Sequence, residues 1–191
     1  IKKEVNKHIV YMEKNDIDII SINEEKYPKI LKEIYDPPIS LYVRGNTDVL
    51  NNKSIAIVGC RDATEYGKKA AMYFSYNLTK EGVNIVSGLA RGIDSYAHIG
   101  SICAHDEESE EKQEADKLKI NMQEYNHQYG KTIAVVGNGL DIVYPKENKY
   151  LFDKIIESGG AIISEYPLGT KPDKMNFPAR NRIVSGMSRG I

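Results

Sequence analysis

The sequence has little of what usually marks a specialised class of protein. Only two cysteines occur in 191 residues, Cys60 and Cys103, far apart and without a Cys-x-x-Cys spacing. Two such thiols neither frame a disulfide scaffold nor supply the ligand set of a structural zinc site. They fit a reduced, cytoplasmic protein, and no metal or cofactor is expected. No apolar run approaches the length of a membrane span, and no signal-peptide pattern is visible. The formal net charge is −1, so no global basic field attracts a polyanion, and any surface for one must be local. The chain opens on Ile1 and closes on Gly190-Ile191. Both ends read as cuts in a longer protein.

What is present is an alternation. Residues 1–50 form a mixed segment, read as the remnant of a small N-terminal domain. Within it, Ile1 to Asn15 has helical character and Ile17 to Ile22 is a short extended run. Tyr27-Pro28 starts a helical stretch that Asp36-Pro37-Pro38 breaks. Leu41 to Gly45 is a strand entering a turn. Residues 51–191 then repeat one theme. Short apolar runs at Ile55–Val58, Val83–Val86, Thr132–Val136 and Ala161–Ser164 alternate with helical stretches such as Tyr66 to Lys80 and Asn148 to Ser158. This pattern predicts an α/β fold, Rossmann-like, with three layers and a parallel sheet covered on both faces. His105 to Lys119 interrupts it with seven acidic residues and three lysines. That stretch reads as a solvated helix or loop inside an insertion spanning 104–129.

Parallel strands share one edge at their carboxyl ends, and ligands collect there. The turns at that edge read Gly59-Cys60-Arg61, Ser87-Gly88-Leu89-Ala90-Arg91-Gly92, Gly137-Asn138-Gly139 and Ser164-Glu165. Glycine lets backbone approach a ligand, and amides opening the following helices suit phosphate oxygens. One such glycine serves any tight turn. Several converging with two arginines predict an anion site. The site matches no familiar nucleotide fingerprint, since GxxxxGK[ST] is absent and Gly88 to Gly92 reads GLARG rather than GxGxxG.

Asp94 and His98 lie four apart on one helical face. The pair reads either as acid and base or, preferably, as a helix cap with a packed histidine behind it. No nucleophile signature accompanies them. Lys174-Met175-Asn176-Phe177-Pro178-Ala179-Arg180-Asn181-Arg182 is the second constellation. Between positions 171 and 191 stand five basic residues, Lys171, Lys174, Arg180, Arg182 and Arg189, opposed by Asp173 alone. Cations neutralise phosphates, and an exposed phenylalanine offers a stacking face to an unpaired base. Equally, Phe177 could sit in the core and Arg182 could pair with Glu165.

The strings SGLARGIDSYAH, GNGLDIVYP and FPARNRIVSG together resemble the DNA-processing protein A family (DprA, also called Smf). The resemblance covers nearly all of the chain except the insertion. It implies an extended Rossmann-like domain without catalytic activity. Such a protein binds single-stranded DNA, protects incoming DNA in natural transformation and loads the RecA recombinase. It is described as a homodimer. Carried over by motif, Arg61 resembles the family's DNA-contacting arginine, and Lys174 and Phe177 its lysine and stacking aromatic. Ser87, Gly88, Gly137, Asn138 and Gly139 resemble its pocket walls; Gly59, in the first turn with Arg61, and Arg180 and Arg182, in the basic segment, are the remaining candidate DNA-binding residues. Family members continue beyond the RNR segment, so the sheet is expected to be incomplete on its C-terminal side. Dimerisation and RecA loading would then depend on further sequence. The competing reading is a Rossmann-like nucleoside monophosphate hydrolase using Glu165, but that class's PGGxGTxxE motif is not found.

Overall fold

A computed structural model describes residues 2–105 and 129–191. Most of the acidic insertion lies outside the described residues. Six strands form one sheet in the order β1-β2-β6-β5-β4-β3. They are β1 (Ile17–Ser21), β2 (Ser40–Gly45), β3 (Ser54–Ala56), β4 (Asn84–Ser87), β5 (Thr132–Val135) and β6 (Ala161–Ser164). The last four run parallel, as their apolar runs predict. The first two pair antiparallel, β1 with β2 and β2 with β6. Residues 1–50 therefore add strands to the same sheet rather than building their own. Neighbours at an edge are chosen by main-chain pairing, which leaves no periodic trace in a short run.

The helices are α1 (Lys2–Lys14), α2 (Glu65–Lys80), α3 (Ile93–Cys103), α4 (Lys149–Glu157) and α5 (Asn176–Gly186). Thr64 caps α2, its Oγ1 accepting from the Gly67 amide at 3.1 Å. Side chains alternate across the sheet, so each central strand feeds two cores. Ile133, Val135, Ala161 and Ile163 face one core with Tyr27, Leu31, Leu50, Ile183 and Val184. Ala134 and Ile162 face the other with Leu140, Leu151, Phe152 and Ile155, joined by Tyr11 and Met12 of α1. Helix α5 thus covers one face, and α1, α3 and α4 the other. Burial on both sides explains why these strands read as unbroken apolar runs. Tyr27 is fully buried and its hydroxyl donates to Pro38 O at 2.6 Å.

Helix α2 packs on α3 through close backbone approach. A Cβ built on Gly100 would stand 2.4 Å from Met72 O, and Ser75 and Thr79 reach across to Ala97 O and Ser101 Oγ. Alanine favours a helix over glycine by about 1 kcal/mol, but forcing a methyl group into packed backbone costs about 1–3 kcal/mol. Gly100→Ala is therefore expected to destabilise the protein by up to roughly 2 kcal/mol, read as a lower urea midpoint. An unchanged or raised midpoint would show that the helices can part.

Candidate nucleic-acid interface

The carboxyl ends of β3, β4 and β5 open into a cleft roofed by the first turn of α5. Its inner part, about 120 Å³, is walled by Arg61, Gly88, Ala90, Arg91, Tyr144, Phe177 and Arg180, among others. An outer part of about 410 Å³ shares Arg61, Gly88, Ala90, Phe177 and Arg180, and adds Gly59, Asp94 and Arg182. Elements distant in sequence meet here because each strand end delivers one turn and α5 crosses above them.

Arg180 organises the cleft from beneath. It is 5% exposed. Its Nη1 donates to Gly88 O at 2.7 Å and also to Val135 O, so one side chain ties α5 to the ends of β4 and β5. Gly88 carries no side chain because none fits. A Cβ there would stand 2.6 Å from both Arg180 Nη2 and Asp94 Oδ2. Asp94 lies buried in the first turn of α3, and its Oδ2 accepts from the Ala90 amide at 3.4 Å. Burial raises the Asp94 carboxyl above its ordinary range, while the Arg180 charge holds it down. Burial also lowers the Arg180 guanidinium, Asp94 supports its charge, and Arg61 adds like-charge repulsion. Two guanidinium groups that repel each other across a cleft are eased by an anion between them.

Arg61 is exposed, with its guanidinium 5.6 Å from the centroid of the Phe177 ring. Phe177 is half-buried and belongs to neither core. Its ring stacks on Tyr144 at 5.5 Å with 20° between the planes. Arg91 projects from the second turn and pairs with Glu147 while largely exposed. The turn itself needs Gly92, whose φ of +75° lies in the left-handed region.

The structure therefore brings Arg61, Gly88, Phe177 and Arg180 together, with Gly59 and Arg182 at the outer end. Arg182 is held bidentately by Glu165 at 2.9 and 2.5 Å, and its Nε donates to Asp36. Lys174 is exposed just before α5, outside the cleft walls, with no hydrogen-bond or ion-pair partner among the described residues. Ser87 turns inward, donating to Ile57 O at 2.6 Å. Asn138 is buried and donates to Gly139 O and Ile142 O. Gly137 O accepts from Asn176 Nδ2, which positions the start of α5, and Gly139 donates to Thr170 O. Those four residues buttress the walls rather than line them. Arg91 is the second of the two turn arginines that predicted an anion site, whereas Tyr144 was not singled out in the sequence, although the Val-Tyr-Pro string contains it.

Asp94 and His98 do not form a couple. His98 is fully buried and its Nδ1 lies 2.6 Å from Thr132 Oγ1, which donates to Ile85 O at 3.2 Å. Nδ1 therefore carries the proton, and the ring fastens α3 to β5. Burial, with the Arg180 charge adding to it, pushes the imidazole down to about 3. The folded protein keeps His98 neutral, whereas the unfolded chain protonates it below about pH 6.5. Its contribution is therefore complete above pH 6.5 and is lost as pH falls towards 3. The expected loss is up to about 1.4 kcal/mol per pH unit. Urea unfolding between pH 7 and 4 should show this slope, and His98→Gln should flatten it. An equal slope in the variant would place the effect on other groups.

These features define a Rossmann-like α/β protein with a cationic, aromatic cleft at the carboxyl edge of its parallel strands. The chain belongs to the DNA recombination-mediator protein A family, whose profile matches residues 18–191. It is 40% identical over 171 residues to the DNA processing protein DprA of Streptococcus pneumoniae, covering 90% of this chain and 51% of that one. It is 41% identical over 173 residues to protein Smf of a Synechocystis species, covering 88% of this chain and 37% of that one. This chain thus spans about half or less of the length of these relatives. The crystal structure of S. pneumoniae DprA superposes with a TM-score of 0.74 at 38% identity, over 95% of this chain and 56% of that one. A DprA structure from Helicobacter pylori, reported for its single-stranded DNA binding mode, gives 0.69 at 29% identity, over 90% and 66%. Among the described residues, no helix is long and apolar enough to cross a membrane.

Proposed function

We propose that this chain binds single-stranded DNA in the cleft between the first two βα turns and the start of α5, and does so without catalysis. The observation that carries the reading is the Arg61 guanidinium beside the Phe177 ring at 5.6 Å. A phosphate partner and a stacking surface stand side by side there, at the spacing that a flexible, unpaired strand can satisfy. The cations Arg91 and Arg180 in the same walls support it, as does the H. pylori relative's reported binding mode. Lys174, exposed beside this site, is assigned to the approaching backbone. Ser87, Gly137, Asn138 and Gly139 hold the turns in place, and Arg182 stiffens α5 through Glu165. For the protein as a whole we propose the recombination-mediator role that the family's description names, with RecA as its protein partner. The nucleotide-hydrolase alternative relies on Glu165, which already accepts both terminal nitrogens of Arg182.

Fluorescence anisotropy with labelled oligo-dT tests the site. Arg61→Ala and Lys174→Ala should each weaken binding and lower the salt slope by about 0.7 per lost phosphate contact. Phe177→Ala should cost about 1–3 kcal/mol of affinity. Unchanged affinity in the Arg61 and Lys174 variants would remove this cleft as the site. Free base released from nucleoside monophosphates would favour the hydrolase.

A further inference from the structure

Phe177 has two partners already, Tyr144 stacked at 5.5 Å and Arg61 at 5.6 Å. A base arriving at this ring must share it with both. Tyr144 is placed differently. It lies on the loop between β5 and α4, walls the inner cleft, and keeps 42% of its surface exposed despite its contact with Phe177. Phe177 is its only ring partner among the described residues, and its hydroxyl makes no hydrogen bond to any of them. An exposed phenol ring fixed against a second ring costs little entropy to present, since its partner already limits its rotation. Offset stacking of this kind extends readily to another flat π system. Every nucleobase offers one, whatever its sequence.

We propose that Tyr144 is the outer stacking platform of the cleft, on which an unpaired nucleobase lies as the next layer of the Phe177–Tyr144 stack. Arg61 and Arg91 line the same inner cleft as Tyr144, where they can meet phosphates of the strand that carries such a base. The assignment rests on the single-strand reading above and adds to it the residue that meets the base. Phe177, besides its own stacking surface, then also serves as the backing ring that holds Tyr144 in place. The contact is with the base, not the backbone, so it separates from the phosphate contacts by chemistry.

The test compares labelled oligo-dT with an abasic oligomer of equal length, in anisotropy titrations at fixed salt. The unaltered protein should favour oligo-dT. Tyr144→Ala should lower oligo-dT affinity by about 5- to 150-fold while leaving abasic binding unchanged, and Tyr144→Phe should restore the preference. Circular dichroism confirms that the variants are folded. Photo-cross-linking of oligomers carrying 5-bromodeoxyuridine to the unaltered protein, read by mass spectrometry, should place the adduct on Tyr144 without needing any variant. If Tyr144→Ala keeps the full preference, or the adduct lies elsewhere, the platform assignment fails while single-strand binding stands. If the unaltered protein binds neither oligomer at low salt, the single-strand reading fails and the assignment falls with it.

Discussion

The buried guanidinium of Arg180 holds the cleft together. Strand ends leave carbonyl groups without ladder partners, and buried ones must be satisfied or cost stability. Arg180 meets two of them, Gly88 O and Val135 O, from a helix that arrives last in the chain. Its charge would be costly in that position without Asp94, and Asp94 would be costly without it. Arg180 thus ties three things together: the second glycine turn, the end of β5 and helix α5. Phe177 lies one turn before Arg180 on the same helix, so the aromatic wall is placed by the same lock.

The family assignment and the geometry answer different questions. Similarity over residues 18–191 says which family the chain belongs to. It does not say which arginine meets solvent. Arg61, Arg91, Arg180 and Arg182 are chemically alike, and the fold gives each a different task. Arg61 stays open beside an aromatic ring, Arg91 is paired but exposed, Arg180 is sealed below, and Arg182 is clamped by Glu165.

Much of the fold was legible in the residues. The parallel strands β4, β5 and β6 lie where their apolar runs place them, because burial on both faces leaves a continuous hydrophobic signal, whereas edge strand β3 covers only the start of its run and leaves Val58 exposed. Helices α2 and α4 follow their amphipathic stretches closely. The antiparallel pairing of β1 and β2 with the same sheet was not legible, since pairing partners are decided in three dimensions. Helix α5 was not read as a helix, as Pro178 in its first turn and its scattered polar residues blur the period. Within the site, the glycine turns were visible and Arg61 and Phe177 were each singled out, but their meeting was not. The inward rotation of Ser87 and Asn138 was not, because a residue's type does not say which carbonyl it will satisfy. Tyr144 escaped notice because a single tyrosine before proline carries no pattern. It gains meaning only from the ring that α5 lays against it.

The Arg91–Glu147 contact has a thermodynamic consequence of its own. A phosphate that meets a cation sheds small ions condensed on its own strand, which makes association with a polyanion sensitive to electrolyte. Arg91 already carries a tethered carboxylate, that of Glu147. When a phosphate takes over this guanidinium, the group expelled is part of the protein and gains little freedom of its own. The cleft then behaves at that position as an ion exchanger with a fixed counter-charge. A phosphate arriving there must outcompete Glu147, so Arg91 would add less affinity than an unpaired arginine of equal exposure.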